Sequence, residues 1–262
     1  MSRPAERPST ATGRREPPRF RLVTVLGKEQ LSSRMIRVTF TGDDLRGLEI
    51  SDPAASVRLL LPSPGEMELA MPRWNGNEFL MGDGSRPTIR TFTPRRLDPA
   101  TLQLDIDMVI HDRGAASQWA VGARPGYPAA VSGPGRGYRP SPGAAAFVLA
   151  GDETAIPAIS QLLETIDPAT PTRVHIEIGA PGARISLPGH PLATVTWHVA
   201  EPGAAPGSAL ISAIEDADLP TEAHIWCAGE AAAMHAIRDH LFKERGLARS
   251  LATVRGYWKA GR

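Results

Sequence analysis

Apolar and polar residues alternate in short bursts over the first half of the chain. The bursts are rich in β-branched residues and are separated by Gly, Pro, Asp and Ser, a pattern typical of strands joined by turns. They fall at residues 22–26, 35–40, 57–61 and 102–110. Only Ala115 to Val121 has a helical pattern here. We therefore predict an antiparallel β-barrel domain over residues 20–140.

The pattern changes after a stretch rich in Gly and Pro at residues 132–143, which is typical of a linker. Beyond it, apolar strands alternate with amphipathic helices. The strands are expected at residues 147–150, 174–178, 195–199 and 223–227, and the helices near residues 156–166, 208–214 and 230–245. Strands that alternate with helices predict an α/β domain with a parallel sheet over residues 141–262.

Composition limits the function classes. The chain has 262 residues, of which 42% are hydrophobic and 22% charged, so it has ordinary globular composition. Cys227 is the only cysteine, which excludes an internal disulfide, a four-cysteine zinc site and an iron–sulfur cluster. The histidines lack ligand spacing, and we predict no protein-bound metal. A net charge of +1 gives no global attraction for nucleic acid, which we do not expect as a partner.

The first residues predict a tail rather than a targeting signal. Residues 1–19 are rich in Arg and Pro and lack the apolar run of a signal peptide, so we expect a disordered basic tail. The best apolar stretch, residues 144–150, is too short to span a bilayer. We expect a cytoplasmic protein without membrane insertion. The sequence does not determine the oligomeric state and is compatible with a monomer.

Two short motifs in the first half carry candidate chemistry. Arg90, Thr91, Phe92 and Thr93 follow one another in a predicted strand. Further on, His111 precedes a short helix that opens with glycine and small residues: Gly114, Ala115, Ala116 and Ser117. Such a helix start leaves backbone N–H groups free, which suits an anionic group such as a pyrophosphate.

These motifs, taken with four others, resemble the siderophore-interacting protein family. The others are Gly133-Pro134-Gly135, the run from Leu149 to Pro157, the run from Trp226 to Glu230, and the terminal run from Arg255 to Arg262. The resemblance covers nearly the whole chain from about residue 20. It implies a ferredoxin-reductase-like architecture, in which an antiparallel β-barrel binds FAD and a parallel-sheet α/β domain binds the nicotinamide nucleotide.

The resemblance implies FAD contacts along the first motif. In the family an Arg-x-Tyr-Ser/Thr strand binds FAD, so Arg90 would meet the phosphate and Thr93 would lie beside the isoalloxazine. Phe92 replaces the family's tyrosine and loses a hydroxyl, and Pro94 removes a backbone donor, so flavin affinity is expected to be lower than is typical. The alternative is an ordinary strand with an exposed arginine and a core phenylalanine.

The second motif resembles the family's contact with the pyrophosphate and adenosine end of FAD. It comprises His111 and the turn from Gly114 to Ser117. A histidine at the end of a strand is also a common structural residue, and this alternative stays open for His111.

The resemblance places NADPH or NADH at the carboxyl ends of the second domain's strands. The first turn there carries Asp152, Glu153 and Thr154; its carboxylates disfavour a pyrophosphate, and Asp152 can instead cap the helix. Arg184 follows the second strand and could meet a 2′-phosphate, which favours NADPH. Cys227 and Gly229 would face the nicotinamide, with a buried inert thiol as the alternative for Cys227.

A ferric siderophore with negatively charged oxygen ligands needs a cationic pocket beside the flavin. The basic positions that match the family's pocket are Arg58, Lys259 and, less closely, Arg255 or Arg262. Tyr257 and Trp258 are candidates to cover the flavin or the substrate, or else to pack in the sheet. For each cation taken alone, the sequence favours the alternative of a solvated surface charge.

The resulting hypothesis is an FAD-dependent ferric-siderophore reductase. NAD(P)H would reduce the flavin, which would pass single electrons to chelated Fe(III) without a catalytic acid or nucleophile from the protein. Two alternatives stay open: a general NAD(P)H:flavin or ferredoxin-type reductase, and a carrier that binds ferric siderophores without turnover.

Overall fold

The computed structural model describes residues 18–63, 65–111, 114–220 and 222–261. The expected disordered tail lies outside the described residues except for Pro18 and Arg19, and Arg262 lies outside them as well.

The first half forms an antiparallel sheet of seven strands in the order β6-β3-β9-β1-β2-β8-β7. A separate two-stranded hairpin, β4–β5, lies between β3 and β6 in the sequence. The strands are β1 (Arg21–Ser32), β2 (Met35–Thr41), β3 (Val57–Leu61), β4 (Arg73–Trp74), β5 (Phe79–Leu80), β6 (Thr88–Phe92), β7 (Pro94–Asp98), β8 (Gln103–Val109) and β9 (Pro128–Ser132). The helix α1 (Ala115–Gly122) lies between β8 and β9 in the chain.

The seven-stranded sheet curls around one apolar core. Val38 and Phe40 of β2, Leu59 of β3 and Ile106 of β8 are all fully buried in the same cluster. Phe92 of β6 packs against that cluster, as do Leu97 of β7 and Trp119 of α1, so both edges of the sheet contribute to it. The period-two alternation of the sequence places these side chains on one face, which is why the pattern predicts the barrel.

The second half is a parallel five-stranded sheet with helices on both faces, in the order β12-β11-β10-β13-β14. The strands are β10 (Phe147–Asp152), β11 (Thr172–Ile178), β12 (Ala193–Val199), β13 (His224–Glu230) and β14 (Ala252–Trp258). The helices are α2 (Ile156–Thr165), α3 (Ser208–Glu215) and α4 (Ala231–Asp239), and α4 continues in a π-helical turn, His240–Glu244.

One face of this sheet is covered by α2 and the other by α3 and α4. Leu149 packs with Ile159 and Leu162 of α2, whereas its neighbour Val148 packs with Leu210 of α3 and Met234 of α4. Successive side chains of a strand point to opposite faces, so a strand buried on both faces reads as a continuous apolar run.

The predicted order of an antiparallel barrel followed by a parallel α/β unit is confirmed. Each strand and helix predicted from periodicity has a counterpart among these elements, and the linker is irregular. The prediction missed the hairpin β4–β5, the strands β7 and β9, and the terminal strand β14. The boundary between domains near residue 140 stays a prediction.

The two halves share buried contacts. Met35 and Ala54 of the first half belong to the core formed by α2 and the parallel sheet. Gln161 of α2 donates through Nε2 to the Pro94 carbonyl at 2.7 Å and accepts from the Ala54 N–H at 2.8 Å. These contacts fix the carboxyl ends of the parallel strands against the barrel.

Within the described part of the chain, no helix is both long enough and apolar enough to cross a membrane.

Candidate functional site

The strand β6 presents a free guanidinium on the surface of the barrel. Arg90 pairs in register with Leu59 of β3 and is exposed, and its Nη1 donates only to the neighbouring Ile89 carbonyl, at 2.9 Å. Within residues 18–63, 65–111, 114–220 and 222–261 no carboxylate forms an ion pair with it. Thr91 is exposed beside Arg58 of β3, its register partner. Arg90 is therefore available for an anion.

The last two residues of the motif, Phe92 and Thr93, are directed into the protein. Phe92 is half-buried and packs against the barrel core, as the ordinary-strand alternative expects. Thr93 is only 6% exposed. Pro94 begins β7 in register with Ile106, and its carbonyl receives the Gln161 side chain. Pro94, which lacks a backbone N–H, thus lies at the junction between β6 and β7.

The start of α1 is open to an anionic ligand. Gly114 precedes the helix with φ +115°, and no side chain of the described residues caps the helix start. Ser117 Oγ accepts from the His111 N–H at 2.8 Å and donates to the His111 carbonyl at 2.9 Å. A Cβ on Gly114 would lie 2.9 Å from His111 Cε1, so the imidazole lies against the glycine. Ala115 and Ala116 then begin the helix with free N–H groups.

These features fit the diphosphate of FAD. The helix α1 lies close to β6, so the unpaired Arg90 and the uncapped helix start belong to one region of the barrel. Gly114 leaves a cradle that any side chain would close, because its φ is unfavourable for other residues and its Cβ position is occupied by His111. A cation and a helix N-terminus together form a suitable phosphate site.

Asp152 ends β10 as a buried carboxylate with several donors. Its Oδ1 accepts from the Thr154 N–H at 2.9 Å and from Thr154 Oγ1 at 2.5 Å. Its Oδ2 accepts from the Glu230 N–H at 2.9 Å and from Trp258 Nε1 at 2.7 Å. Burial raises the pKa of Asp152 and the hydrogen bonds oppose that shift. The predicted capping role of Asp152 is therefore present, and the same carboxylate also holds Trp258.

Glu153 is engaged with the barrel rather than open to a ligand. Arg34, in the turn between β1 and β2, donates through Nε to both Glu153 oxygens, at 2.9 and 3.0 Å. The Gly179 N–H donates to the same carboxylate at 3.1 Å. Glu153 is 7% exposed, so its charge is balanced by Arg34 in a largely buried pair. This pairing removes the repulsion that an open acidic turn would exert on a pyrophosphate.

Near the end of β13, the backbone of Gly229 lies close to the Asp152 carboxylate. A Cβ on Gly229 would lie 2.6 Å from Asp152 Oδ2, so this position requires glycine. Glu230 caps α4 by accepting from the N–H groups of Ala232 and Ala233. Desolvation would raise the pKa of Glu230, but these and other backbone N–H groups outweigh it and lower the pKa.

Cys227 lies in the core shared by β13, α3 and α4 and has no exposed surface. Burial raises the pKa of the Cys227 thiol to about 12. This environment favours the alternative of an inert buried thiol over a contact with nicotinamide.

Arg184 follows a short 3-10 turn, Pro181–Ala183, after β11. Its side chain is exposed and makes no ion pair with the residues that the structure describes. It therefore remains free to meet a phosphate near the carboxyl ends of the parallel strands.

The terminal strand β14 brings its side chains to the barrel. Tyr257 is partly buried against Trp226, and burial raises the pKa of its phenol, opposed by a side-chain hydrogen bond with Thr93. Trp258 is 39% exposed beside Asp152. The neighbouring Arg255 donates to the carbonyls of Ala54 and Gly137, so the terminal strand lies against the first half of the chain.

The predicted substrate cations have different surroundings. Arg255 donates through Nη2 to the Gly137 carbonyl at 2.6 Å and lies within 3.4 Å of the carbonyls of Ala54 and Arg136, so its charge is used to join β14 to the barrel. Arg58 and Lys259 are exposed and make no ion pair with any residue in the described ranges. Arg262 lies outside those ranges.

The structure brings the strand of Arg90 close to the helix α1, and Asp152 close to Gly229 and Trp258, and it adds residues that the sequence did not indicate. Arg34 was missed because nothing in its local sequence marks a partner 119 positions away. The hairpin aromatic Trp74 was missed because β4 is too short to show periodicity.

Two family models match the chain, one on each half. The model described as "Siderophore-interacting FAD-binding domain" matches residues 24–138, and the model described as "Siderophore-interacting protein" matches residues 144–261.

Curated relatives span most of the chain. An uncharacterised protein of Mycobacterium tuberculosis is 34% identical over 91% of this chain and 89% of its own length. Ferric vibriobactin reductase of Vibrio cholerae is 28% identical over 92% of this chain and 90% of its own length. The NADPH-dependent ferric-chelate reductase of Escherichia coli is 35% identical over 56% of this chain and 58% of its own length.

Solved structures agree with the fold. A siderophore utilization protein from T. fusca superposes with a TM-score of 0.83 at 34% identity, covering 94% of this chain and 95% of that one. A ferredoxin reductase of carbazole 1,9a-dioxygenase shares the fold alone, with a TM-score of 0.68 at 13% identity over 92% of this chain and 70% of that one.

Proposed function

This chain belongs to the siderophore-interacting protein family, and on that basis we propose that it is an FAD-dependent ferric-siderophore reductase with NADPH or NADH as electron donor. The names of the reductases from V. cholerae and E. coli support this activity. The observation that carries the proposal is the exposed Arg90, without an ion pair among the described residues, on a strand that contacts the helix α1, whose start at Gly114 has no side-chain cap in the same ranges. This pairing of a cation with a helix N-terminus supports an anion-binding site for FAD on the barrel.

In this proposal the barrel holds FAD through two groups. Arg90 and the N-terminus of α1 bind the diphosphate, with His111 and Ser117 fixing the turn that exposes the Ala115 and Ala116 N–H groups. Thr91, Phe92 and Thr93 would line the side of the ring system. Trp258, which donates to Asp152, would cover it.

When bound, FAD would supply the redox chemistry that the side chains lack: acceptance of a hydride from NAD(P)H and transfer of single electrons to chelated Fe(III). The resulting Fe(II) carries less charge and is held less tightly by hard oxygen ligands, so iron is released for assimilation in the cytoplasm. The protein supplies no acid, base or nucleophile in this scheme. Its side chains bind and orient the reactants.

The donor nucleotide is proposed to lie across the carboxyl ends of β10, β11 and β13. Gly229 leaves room for the Asp152 carboxylate, which holds the first turn through the N–H and hydroxyl of Thr154. Arg184 is exposed, makes no ion pair within the described ranges, and is proposed to meet the 2′-phosphate of NADPH. Glu153 is neutralised by Arg34 and does not repel the pyrophosphate.

The ferric chelate is proposed to bind where the free cations lie. Arg58 and Lys259 provide unpaired positive charge for an anionic complex, and we include Arg262 in this set. Arg255 supports the site by tying β14 to residues 54 and 137 of the barrel side rather than by contacting the chelate.

The proposal is tested in two steps on the purified full-length protein. Its visible spectrum is recorded first, because bound flavin separates the reductases from a flavin-free carrier. Anaerobic reduction of a ferric siderophore is then followed with an Fe(II) trap in the wild type and in Lys259→Ala. Lys243→Ala is the matched control, since Lys243 pairs with Asp239 on α4, away from the barrel.

We expect Lys259→Ala to slow Fe(II) release several-fold while the rate of flavin reduction by NAD(P)H stays unchanged. Equal Fe(II) release in Lys259→Ala, Arg58→Ala and the wild type would instead indicate a general flavin or ferredoxin-type reductase. A protein that binds the chelate but takes up no flavin would be a carrier.

A further inference from the structure

The parallel sheet ends on one side in an open edge strand, β12. In the order β12-β11-β10-β13-β14 it pairs, among the described strands, with β11 alone. Thr194, Val195 and Thr196 are all exposed, although consecutive side chains of a strand point to opposite faces of the sheet. Both faces of β12 are therefore open to solvent at the middle of the strand.

The backbone of β12 has one side paired with β11 and one side directed outward. The Leu192 carbonyl accepts from the Thr172 N–H at 3.0 Å, and the Ala200 N–H donates to the Ile178 carbonyl at 2.9 Å. Even-numbered residues thus direct their backbone groups towards β11, so the odd-numbered residues between them direct theirs outward. The residues whose outward N–H and C=O groups have no partner within the described ranges are Val195, Trp197 and Val199.

The other edges of the two large sheets are protected against pairing with another chain. The edge strand β7 begins with Pro94 and carries Arg95 and Arg96, β6 carries the exposed Arg90, and β14 is tied to the barrel by Arg255. Proline, charged side chains and coverage are the usual means of protecting a sheet edge. The sequence of β12, ATVTWHV, contains no Pro, Asp, Glu, Lys or Arg.

The surface around β12 is neutral and partly apolar. Residues 185–200 contain no Asp, Glu, Lys or Arg, although 22% of the residues in the whole chain are charged. Leu192, Val195 and Val199 are large apolar residues, and all three are exposed. A strongly charged partner would find no complementary charge on this surface, whereas a second copy of the chain brings an equally neutral, apolar strand.

The strand β12 is complementary to itself when two copies run antiparallel. Thr196 is its central residue, and a two-fold axis at Thr196 brings the outward-directed Val195 of one copy opposite the outward-directed Trp197 of the other, as a hydrogen-bonded antiparallel pair requires. The residues that then face each other are matched in polarity: Val195 with Trp197, Ala193 with Val199, Thr194 with His198, and Thr196 with itself. Aliphatic–aromatic and Thr–Thr pairs of this kind stabilise neighbouring strands.

We propose that this protein forms a symmetric homodimer in which the two β12 strands pair antiparallel about Thr196 and join the two parallel sheets into one. A strand of seven residues is about 23 Å long, so the contact is smaller than a stable interface of roughly 1,600 Å². The dimer therefore dissociates in the micromolar range. The inference is independent of the proposed function, because β12 carries none of the residues assigned to FAD, the donor nucleotide or the chelate.

The first experiment is sedimentation velocity on the purified full-length protein between about 1 and 500 µM, which gives the Kd of dimerisation. Thr196→Lys is the test variant, because its exposed position places two lysines opposite each other at the axis. Thr24→Lys is the matched control, since Thr24 is an exposed threonine of β1, which is paired on both sides. Urea unfolding of each variant verifies that it is folded.

We expect a Kd between about 5 and 100 µM for the wild type and for Thr24→Lys. Thr196→Lys should raise the Kd at least about tenfold, because like charges directly opposite each other oppose strand pairing. A wild type that stays monomeric at every concentration would overturn the proposal. A dimer whose Kd is the same in Thr196→Lys would use another surface and would overturn it as well.

The second experiment tests the position of the axis by disulfide cross-linking. Thr196 would lie opposite its own copy in a non-hydrogen-bonded pair, in which the Cα atoms are about 4.5 Å apart, within the range that a disulfide spans. Oxidation of Thr196→Cys with diamide should therefore give a covalent dimer on a non-reducing gel. The natural Cys227 is buried and does not compete. Thr24→Cys is the control and should stay monomeric; equal cross-linking of the two variants, or none in Thr196→Cys, would overturn the proposed pairing.

Discussion

Arginine side chains serve different purposes in this molecule according to what their guanidinium groups meet. Arg255 is held by backbone carbonyls and Arg34 by a carboxylate, so both act in the architecture. Arg90 and Arg184 are exposed without an ion pair among the described residues. Because an arginine is charged at all relevant pH values, both of these groups can bind a phosphate.

The first prediction concerns Arg90. Arg90→Lys keeps the charge but loses the planar fork that binds a phosphate through two parallel hydrogen bonds. We expect the Kd for FAD to rise about tenfold or more, as measured by flavin fluorescence during titration of the flavin-free protein. Arg46→Lys, at an exposed position on the barrel, is the control and should leave the Kd unchanged. An unaltered Kd in Arg90→Lys would show that Arg90 does not contact the phosphate.

The second prediction concerns the choice of donor nucleotide. Arg184→Glu replaces an exposed cation with an anion, which would repel the 2′-phosphate of NADPH but has little to repel in NADH. We expect the KM for NADPH to rise several-fold with little change for NADH, measured as steady-state flavin reduction. Arg46→Glu is the control, because it makes the same charge change at an exposed position on the barrel. If the ratio of the two KM values is the same in Arg184→Glu and in the wild type, Arg184 does not contact the 2′-phosphate.

Residue roles could be predicted where a motif is continuous in sequence. The strand with Arg90 and the helix start at Gly114 were found this way, and the structure presents both at the barrel surface. The partner of Glu153 could not be found, because Arg34 belongs to a turn of the other half and has no local signature. The burial of Cys227 follows from packing by α3 and α4, so the sequence left its two interpretations open.

At the scale of elements, two histidines join the neighbouring strands β11 and β12. His175 Nδ1 lies 3.2 Å from His198 Nε2, and the rings are stacked at an interplanar angle of 18°. Burial lowers the pKa of His175, and the nearby charges of His198 and Arg173 lower it further. Burial also lowers the pKa of His198, although Glu177 opposes that shift.

The third prediction follows from this pair. Both histidines titrate below their ordinary pKa of 6.5 in the folded protein, so the unfolded chain binds more protons and stability falls as the pH drops below about 6.5. His198→Gln should make that loss shallower, by up to about 1.4 kcal/mol per pH unit for one histidine. Urea unfolding between about pH 7.5 and 5.5, in steps of roughly half a pH unit, measures this pH dependence of the free energy of unfolding.

The control for this experiment is His235→Gln, because His235 is exposed on α4 and is 71% accessible in its side chain. It should leave the pH dependence of the unfolding free energy as in the wild type. Parallel curves for the wild type and His198→Gln would contradict the assignment of the acid sensitivity to the histidine pair.

Elements with several buried turns or clear alternation could be predicted from the sequence, and short or irregular ones could not. The strand β10 is buried on both faces, β11 alternates apolar with polar residues, and α2 is buried along most of its length. The hairpin β4–β5 has too few residues in each strand to show a period. The strand β14 is an edge strand interrupted by Arg255 and Gly256, and its pairing with β13 is irregular near Trp258.

At the scale of the whole molecule, the function depends on how the barrel faces the parallel sheet. That arrangement is held by the shared core around Met35, by the hydrogen bonds of Gln161 and Arg255, and by two ion pairs. The pair between Arg34 and Glu153 lies at the carboxyl end of β10, beside the turn proposed for the donor nucleotide. Changes there should therefore affect both stability and cofactor use.

The fourth prediction tests this pair. Arg34→Ala leaves the Glu153 carboxylate, whose side chain is 9% exposed, with the Gly179 N–H as its remaining donor. We expect a loss of about 1–3 kcal/mol in the free energy of unfolding, below the full cost of breaking a buried pair because Arg34 is 35% exposed. The double variant Arg34→Ala, Glu153→Gln should regain most of it, because an amide tolerates burial better than an unpaired charge.

A matched control distinguishes burial from the mere presence of a salt bridge between the two halves. Arg95 and Glu164 form a second such pair, with oxygen and nitrogen 2.5 Å apart, but Glu164 is 45% exposed and remains solvated when its partner is removed. Arg95→Ala should therefore cost less than about 1 kcal/mol in the same urea titration. If Arg95→Ala and Arg34→Ala are equally destabilising, or if Glu153→Gln restores nothing, then the buried charge of Glu153 is not what the pair stabilises. A rise in the KM for NADPH in Arg34→Ala that Glu153→Gln reverses would link the same carboxylate to the donor site, because only an uncompensated charge at that turn repels the pyrophosphate.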